Sequence, residues 1–98
     1  MDSPSARDEQ ALDLRMQGRA FSAIATTLGY ERPLKAREGF NRALRRKPEA
    51  VRANIRQQEM ARIDAMADVF RSSENLDSKE IAQRLRALDR LRATLMAD

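Results

Sequence analysis

Residues 18–46, GRAFSAIATTLGYERPLKAREGFNRALRR, decide the predicted fold of this chain. Apolar residues at helical spacing, among them Ile24 and Leu28, give a first helix one buried face. Gly29 ends that helix because glycine readily takes a positive φ, and Pro33 suits the first turn of the next helix. The second helix has one inward-facing apolar stripe and an outer face rich in Lys and Arg. The stretch therefore predicts a helix-turn-helix whose second helix is offered to a DNA groove.

The rest of the chain also has helical periodicity, so the predicted class is all-α. A loose arm is expected at residues 2–4, followed by a first helix that Ser5 caps and Gly18 ends. Asp8 and Glu9 are interpreted as charges that favour the start of this helix. Together with the two helices of residues 18–46, it predicts a tri-helical unit.

Pro48 divides the chain into two predicted domains, because proline disfavours helical geometry in the residue before it. Residues 1–47 hold ten Lys or Arg and six Asp or Glu, whereas residues 48–98 hold nine of each. The whole excess of positive charge therefore belongs to the first part. We expect a helix-turn-helix DNA-binding domain at residues 1–47 and a helical-hairpin oligomerisation domain at residues 48–98.

The second domain is predicted to be an antiparallel hairpin of two helices. The first runs over residues 49–71, and the second starts at a cap formed by Asp77 or Ser78 and ends near Met96. The apolar sector of the first helix spans nearly half its circumference, which is wider than one neighbouring helix needs. Arg52, Arg56 and Glu59 interrupt this sector, whose members are Val51, Ile55, Met60, Ile63, Met66, Ala67, Val69 and Phe70. The plain interpretation is an intramolecular hairpin, and the alternative is a hairpin that also packs between copies. The predicted oligomerisation residues are Ile55, Ile63, Met66, Phe70, Ile81, Leu85, Leu88, Leu91 and Leu95.

Charged residues of the hairpin suggest contacts between copies. Asp64 and Asp68 lie opposite the main apolar sector, and we expect them to pair with Arg86 and Arg90 of a neighbouring copy. The second helix of the hairpin has an apolar stripe, which we call the leucine stripe, formed by Ile81, Leu85, Leu88, Leu91 and Leu95. Arg84 and Arg92 fall on this stripe, where their aliphatic stems are expected to cover apolar surface.

The predicted DNA-binding residues concentrate in residues 32–47, where seven basic residues stand against one acidic residue. The C-terminal members of this set are expected to hold phosphates, whereas Lys35 and Arg42, with Glu38, lie where base edges are reached. Arg7, Arg15 and Arg19 are either additional backbone contacts or ordinary solvated side chains. Two plain alternatives stay open. The basic helix is also compatible with an ordinary solvent-exposed charged face, and the turn is also compatible with a helix pair that has only a structural role. The full predicted set is Arg32, Lys35, Arg37, Arg42, Arg45, Arg46, Lys47 and Arg52.

The composition excludes several functional classes. The 98 residues contain neither Cys nor His, which excludes disulfides, Cys/His zinc sites and catalysis by thiol or imidazole. There is no Gly-rich phosphate loop, no nucleophile–base set and no converging carboxylate spacing. We therefore predict no catalytic residue, no metal and no cofactor. No apolar run is long enough to span a membrane and MDSP is not a signal peptide, so we expect no membrane partner.

Two segments give the chain a resemblance to a known family. One is the pattern IAxxLGY of residues 24–30, together with the apolar stripe of the following basic helix. The other is EMARID at residues 59–64, followed by Ile81 and by LDRLR at residues 88–92. Together they resemble the small terminase subunit of tailed bacteriophages and related gene-transfer particles. Ala20 departs from this pattern, since the family usually has a Ser or Thr cap there.

The resemblance implies a homo-oligomeric ring that binds double-stranded viral DNA and hands it to the large terminase subunit, which has ATPase and nuclease activities. It places the protein in the cytoplasm of the bacterial host. Two alternatives stay open at this point. One is a dimeric helix-turn-helix transcriptional regulator, and the other is a helical adaptor whose basic face meets an acidic protein.

Overall fold

The protein is all-helical in the computed structural model, which describes residues 4–96. This confirms the predicted all-α class, and the described residues contain no strand. The helix bounds also agree closely with the sequence pattern, with two exceptions: the first helix begins before the predicted cap at Ser5, and the third helix ends one residue earlier than expected. The five helices are α1 (Pro4–Met16), α2 (Phe21–Leu28), α3 (Pro33–Arg45), α4 (Glu49–Arg71) and α5 (Ser78–Met96).

The chain divides into two compact units, Met1–Arg52 and Ala53–Asp98. The division falls inside α4, four residues after the start of that helix at Glu49. The first unit therefore holds α1, α2 and α3 with the first turn of α4. The second unit holds the remainder of α4 together with α5.

Local chemistry explains where several of the helices begin or end. Gly18 and Gly29 follow α1 and α2 with φ of 91° and 78°, a region that glycine enters without steric cost. Asp77 caps α5, since its Oδ1 accepts a hydrogen bond of 2.8 Å from the backbone N–H of Glu80. The predicted Ser5 cap is wrong, because α1 already begins at Pro4, whose fixed φ suits a first helical turn. The predicted arm lies outside the described residues at positions 2 and 3, and its third residue is helical.

The core of the first unit lies where α1 and α2 pack on one face of α3. Phe40 and Ile24 are its largest fully buried side chains, and the rings of Phe40 and Phe21 meet edge to face with centroids 5.6 Å apart. Leu12 of α1 is also buried. The remaining fully or nearly fully buried apolar side chains are Ala11, Ala25, Tyr30, Ala36, Ala43 and Leu44.

Arg15 is buried against this core, which neither interpretation of its sequence position predicted. Its guanidinium carbon lies 4.2 Å from the centroid of the Phe21 ring, a cation–π contact. Its Nη1 donates a hydrogen bond of 2.9 Å to the carbonyl of Arg19. Arg15 therefore joins the end of α1 to the start of α2 and lies 9% exposed.

In the second unit, α4 and α5 contact each other near both ends of the two helices. Arg56 donates to the carbonyl of Leu95 at 3.2 Å, near the start of α4 and the end of α5. At the opposite ends of the two helices, the Arg84 guanidinium lies 5.5 Å from the centre of the Phe70 ring. The buried apolar residues between them are Ile55, Ile63, Ala67, Leu88 and Leu95.

Two charged contacts within this unit were not predicted from the sequence. Asp64 pairs within the chain with Arg92 at 2.9 Å, so Arg92 does more than cover apolar surface. Arg92 also reaches Asp89 at 2.7 Å. Glu59, which lies inside the apolar sector of α4, is only 4% exposed, and Arg62 on the next turn lies 3.6 Å from its carboxylate.

Candidate nucleic-acid interface

The turn before α3 sets the orientation of the basic helix. The backbone N–H groups of Gly29 and Tyr30 both donate to the carbonyl of Ala25, at 2.9 and 3.0 Å, and this closes α2. Arg32 follows in an extended conformation, and Pro33 begins α3. One face of α3 is then buried and its basic face is left at the surface. The buried residues of α3 are Ala36, Gly39, Phe40, Ala43 and Leu44.

Asp8 of α1 forms the centre of a polar cluster that joins three elements. Its side chain is 3% exposed and accepts hydrogen bonds from Nε of Arg42 at 2.9 Å and from Nη2 of Arg42 at 3.1 Å. It also accepts a hydrogen bond of 2.8 Å from the Tyr30 hydroxyl. A two-point contact between a guanidinium and a nearly buried carboxylate fixes both groups in direction. Asp8 therefore holds Arg42 against α1.

Gly39 is what permits this close approach. A Cβ at this position would lie 2.5 Å from the Tyr30 hydroxyl oxygen and 2.6 Å from Oδ1 of Asp8. Glycine in the middle of a helix usually destabilises it, so such a residue signals close contact. This cluster was not predicted from the sequence. The signal from which it could have been found is Gly39, a glycine in the middle of a helix.

Electrostatics within the cluster shift two pKa values in opposite directions. Burial raises the pKa of the Asp8 carboxyl, but the hydrogen bonds from Arg42 and Tyr30 and the charge of Arg42 outweigh it. The net result is a pKa below the ordinary value of 3.8. Burial, followed by the hydrogen bond to Asp8, raises the pKa of Tyr30 to about 12. Asp8 is therefore ionised and Tyr30 neutral at pH 7.

A second carboxylate of α1, Glu9, binds the end of the basic segment. Lys47 Nζ lies 2.7 Å and Arg46 Nη2 lies 3.3 Å from its oxygens. The hydrogen bond from Lys47 lowers the pKa of Glu9 below 4.5 against the opposing effect of burial. Asp8 and Glu9 therefore bind cations of α3 and of the segment after it. The sequence-based interpretation gave them only a favourable charge at the start of α1.

The eight predicted DNA-binding residues fall into three groups. Four already have carboxylate partners: Arg42 with Asp8, Arg46 and Lys47 with Glu9, and Lys35 with Glu38 at 3.4 Å. The guanidinium of Arg52 instead donates to backbone carbonyls at the end of α3, those of Arg45 at 3.5 Å and Lys47 at 3.3 Å.

The third group consists of Arg32, Arg37 and Arg45. None of them has a carboxylate within ion-pair distance among residues 4–96, and Arg32 and Arg45 are exposed. Arg37 is half-buried, and its Nε has no hydrogen-bond partner in the described part of the chain. Among the described residues these three arginines therefore have no carboxylate to exchange for another anion, and Arg32 and Arg45 present their side chains to solvent.

A groove of about 380 Å³ opens beside the turn. The guanidinium of Arg7 lies over the Tyr30 ring, 4.2 Å from its centroid, and forms one wall. Three cations and one carboxylate line the groove, but two of the cations, Lys35 and Arg42, already have carboxylate partners. Its lining residues are Arg7, Gly29, Tyr30, Glu31, Lys35 and Arg42.

The predicted oligomerisation residues of α4 and α5 differ in burial. Ile55, Ile63, Leu88 and Leu95 are buried within the chain, whereas Met66 is 39% exposed. Three large apolar side chains of α4 and α5 outside the predicted set are more exposed still: Val51 at 43%, Val69 at 64% and Met96 at 62%. The remaining members are half-buried: Phe70, Ile81, Leu85 and Leu91.

Residues 4–96 contain no cluster of acidic side chains able to hold a metal ion. None of the helices described is both long enough and apolar enough to cross a membrane. No protein-family model, no curated protein and no solved structure matches the chain.

Proposed function

We propose that this chain is the non-catalytic DNA-recognition subunit of a viral genome-packaging terminase. In this proposal α2 and α3 act as a helix-turn-helix, and α4 and α5 form a hairpin that assembles copies into a ring. The ring presents genome DNA to the large ATPase and nuclease subunit in the cytoplasm of the bacterial host. The family assignment rests on the sequence resemblance, and DNA binding rests on the surface of α3.

The observation that carries DNA binding is the set of three arginines without carboxylate partners on and beside α3. A cation that already has a carboxylate partner must exchange it for a phosphate, and the two interactions largely offset each other. Arg32, Arg37 and Arg45 have no such partner to lose among the described residues. They therefore offer the largest gain on contact with a phosphate backbone.

Self-association is supported by the apolar surface of the second unit. Val69 and Met66 project from α4 with much of their surface in water. Two helices bury little core by themselves, so an added neighbour supplies stability that the hairpin lacks. Exposed apolar patches of this kind mark interaction sites in soluble proteins.

DNA binding is tested by removing the free arginines. Arg32→Ala and Arg45→Ala should each weaken binding to a duplex and flatten the slope of log affinity against log salt by roughly 1. Lys79→Ala is the matched control, because Lys79 is exposed in the first turn of α5 and belongs neither to the proposed DNA-binding set nor to the predicted contacts between copies. If both Arg32→Ala and Arg45→Ala left the affinity and the salt slope unchanged, the basic helix would be only a solvent-exposed face.

Ring formation is tested by native mass spectrometry across a salt series. A closed assembly larger than a tetramer supports the packaging subunit. A dimer with a palindromic DNA preference favours a transcriptional regulator instead. Indifference to DNA favours an adaptor that binds an acidic protein.

A further inference from the structure

We propose that the outermost line of α3, formed by Leu34, Glu38 and Asn41, contacts base edges in the major groove of DNA. Arg45, one turn further along the same line, then contacts the phosphate backbone. We name the three residues Leu34, Glu38 and Asn41 the α3 ridge. This inference rests on the proposed DNA-binding function and adds which side chains read sequence.

The position of the ridge follows from the buried face of α3. Ala36 is fully buried and marks the direction of the core. At about 100° per residue, the ridge and Arg45 all lie within about 40° of the direction opposite Ala36. Leu34 is 42% exposed, the Glu38 side chain is 42% exposed and Asn41 is half-buried. The ridge thus lies on the side of α3 that faces away from the core, and each of its residues retains accessible surface.

Two residues that the sequence analysis placed at base edges lie to one side of this line. Arg42 lies about 60° and Lys35 about 80° away from the direction opposite Ala36. Arg42 is turned onto Asp8 of α1 by two hydrogen bonds, at 2.9 and 3.1 Å. Its guanidinium is therefore occupied in joining two helices, and we assign base contact to the ridge instead.

The ridge begins in the first turn of α3, and the N-terminal residues of a recognition helix are those that contact base edges. The major groove of B-form DNA is about 12 Å wide and admits an α-helix, whose diameter with side chains is about 10–12 Å. Leu34 and Asn41 are seven residues apart, which is about 10.5 Å along the axis at about 1.5 Å per residue. Arg45 lies about 16.5 Å from Leu34 by the same rise, at the C-terminal end of α3. Arg45 is therefore assigned to the backbone.

The ridge also carries the chemistry that base edges require. An Asn side chain binds N6 and N7 of adenine with two hydrogen bonds, and an apolar side chain contacts the methyl group of thymine. A carboxylate accepts a hydrogen bond from N4 of cytosine. Lys35 lies 3.4 Å from the Glu38 carboxylate and offsets its repulsion from nearby phosphates. Three different base-edge chemistries therefore occupy successive turns of one helix face.

Charge complementarity points to nucleic acid as the occupant of this face. Arg32 precedes the ridge, Arg45 follows it, and both are exposed. Arg37 flanks the ridge on the side away from Arg42 by the same helical geometry. A line of base-reading groups with cations at both ends fits a groove that has a phosphate strand on each side.

The test separates base reading from phosphate binding. The preferred site is first selected from random-sequence duplex DNA with the wild-type chain. Affinities are then measured for the selected duplex and for a duplex with the site scrambled. Asn41→Ala should reduce the ratio of these affinities by about 5- to 150-fold, the usual cost of losing a two-point base contact. Arg45→Ala should lower both affinities together and flatten the salt slope by roughly 1.

The control is Gln10→Ala, since Gln10 is an exposed amide on α1, outside the ridge. Alanine is favourable in helices, so Asn41→Ala should keep the helical circular dichroism of the wild type. A wild-type chain that binds duplexes without any sequence preference would overturn the ridge and leave DNA binding standing. An unchanged affinity ratio in both Asn41→Ala and Leu34→Ala would overturn it as well. A wild-type chain that binds no duplex even at low salt would overturn the proposed function itself.

Discussion

Replacing Gly39 by alanine tests how tightly α3 packs against the polar cluster. In an open helix, Gly→Ala stabilises by up to about 1 kcal/mol. In this helix the new Cβ would lie 2.5 Å from the Tyr30 hydroxyl oxygen, 2.6 Å from Oδ1 of Asp8 and 3.0 Å from Cζ of Tyr30. The methyl group must therefore push Tyr30 and Asp8 away, and their hydrogen bond of 2.8 Å is lost or lengthened.

The magnitude follows from three contributions. Overpacking in a close-packed site costs about 1–3 kcal/mol. Weakening a hydrogen bond to a charged group costs about 1.5–3 kcal/mol. The gain in helix propensity offsets about 1 kcal/mol of this sum. We therefore expect Gly39→Ala to lower the free energy of unfolding by about 1.5–5 kcal/mol, which for a chain of this size lowers Tm by on the order of 10 °C or more.

The assay is thermal and urea unfolding at pH 7, followed by circular dichroism. Asn41→Ala on the same helix is the matched control, because it gains helix propensity without entering the cluster. Tyr30→Phe removes the atom nearest the new methyl group. The double variant with Gly39→Ala should therefore be less destabilised than the sum of the two single variants.

Two outcomes would refute this reasoning. One is a Gly39→Ala variant that melts at or above the wild-type temperature. The other is strict additivity of Gly39→Ala and Tyr30→Phe, since residues in contact should be coupled by about 0.5–3 kcal/mol.

Two further predictions concern pH and assembly. Because the pKa of Asp8 is lower in the folded protein than its ordinary value of 3.8, its contacts stabilise the fold above that pH and are lost as the pH falls through the folded value. Asp8→Asn should therefore be less stable at neutral pH and lose less stability on acidification, as measured by Tm between pH 7 and pH 2; a parallel decline in both proteins would contradict this. Val69→Glu places a charge on the exposed apolar surface of α4 and should lower the assembly size in native mass spectrometry with helix content unchanged. Gln57→Glu, at an exposed position about 120° around α4 from Val69, is its control, and an equal loss of assembly in both variants would mean that added charge alone is responsible.

Much of the secondary structure was predictable because its signals are local. Gly29 stops α2 through its own backbone conformation, and Pro33 begins α3 through its fixed φ. Asp77 caps α5 through a hydrogen bond to a residue three positions away. Each of these effects involves neighbours in the chain, so the sequence carries them in full. Ser5 failed as a cap because Pro4 is already helical.

The partners of the charged residues were not predictable in this way. Asp8 and Arg42 are separated by 34 positions, and Glu9 and Lys47 by 38. Local rules assign the two carboxylates to the start of α1, and only the packing of α1 on α3 brings them to their cations. The candidate interface therefore differs from the predicted one. The carboxylates of α1 bind Arg42, Arg46 and Lys47, whereas Arg32, Arg37 and Arg45 have no carboxylate partner among the described residues.

The sequence by itself determined the all-α class, the helix bounds to within a residue in most cases and the basic character of α3. The reason is that capping, proline geometry and amphipathic spacing act over one or two turns. Tertiary structure alone decided which charges neutralise one another and how much of the α4 apolar sector is covered. Ala67 and Val69 are both in the predicted sector, yet Ala67 is fully buried and Val69 is 64% exposed. A helical pattern gives the direction of a side chain, whereas burial depends on whether another helix lies in that direction.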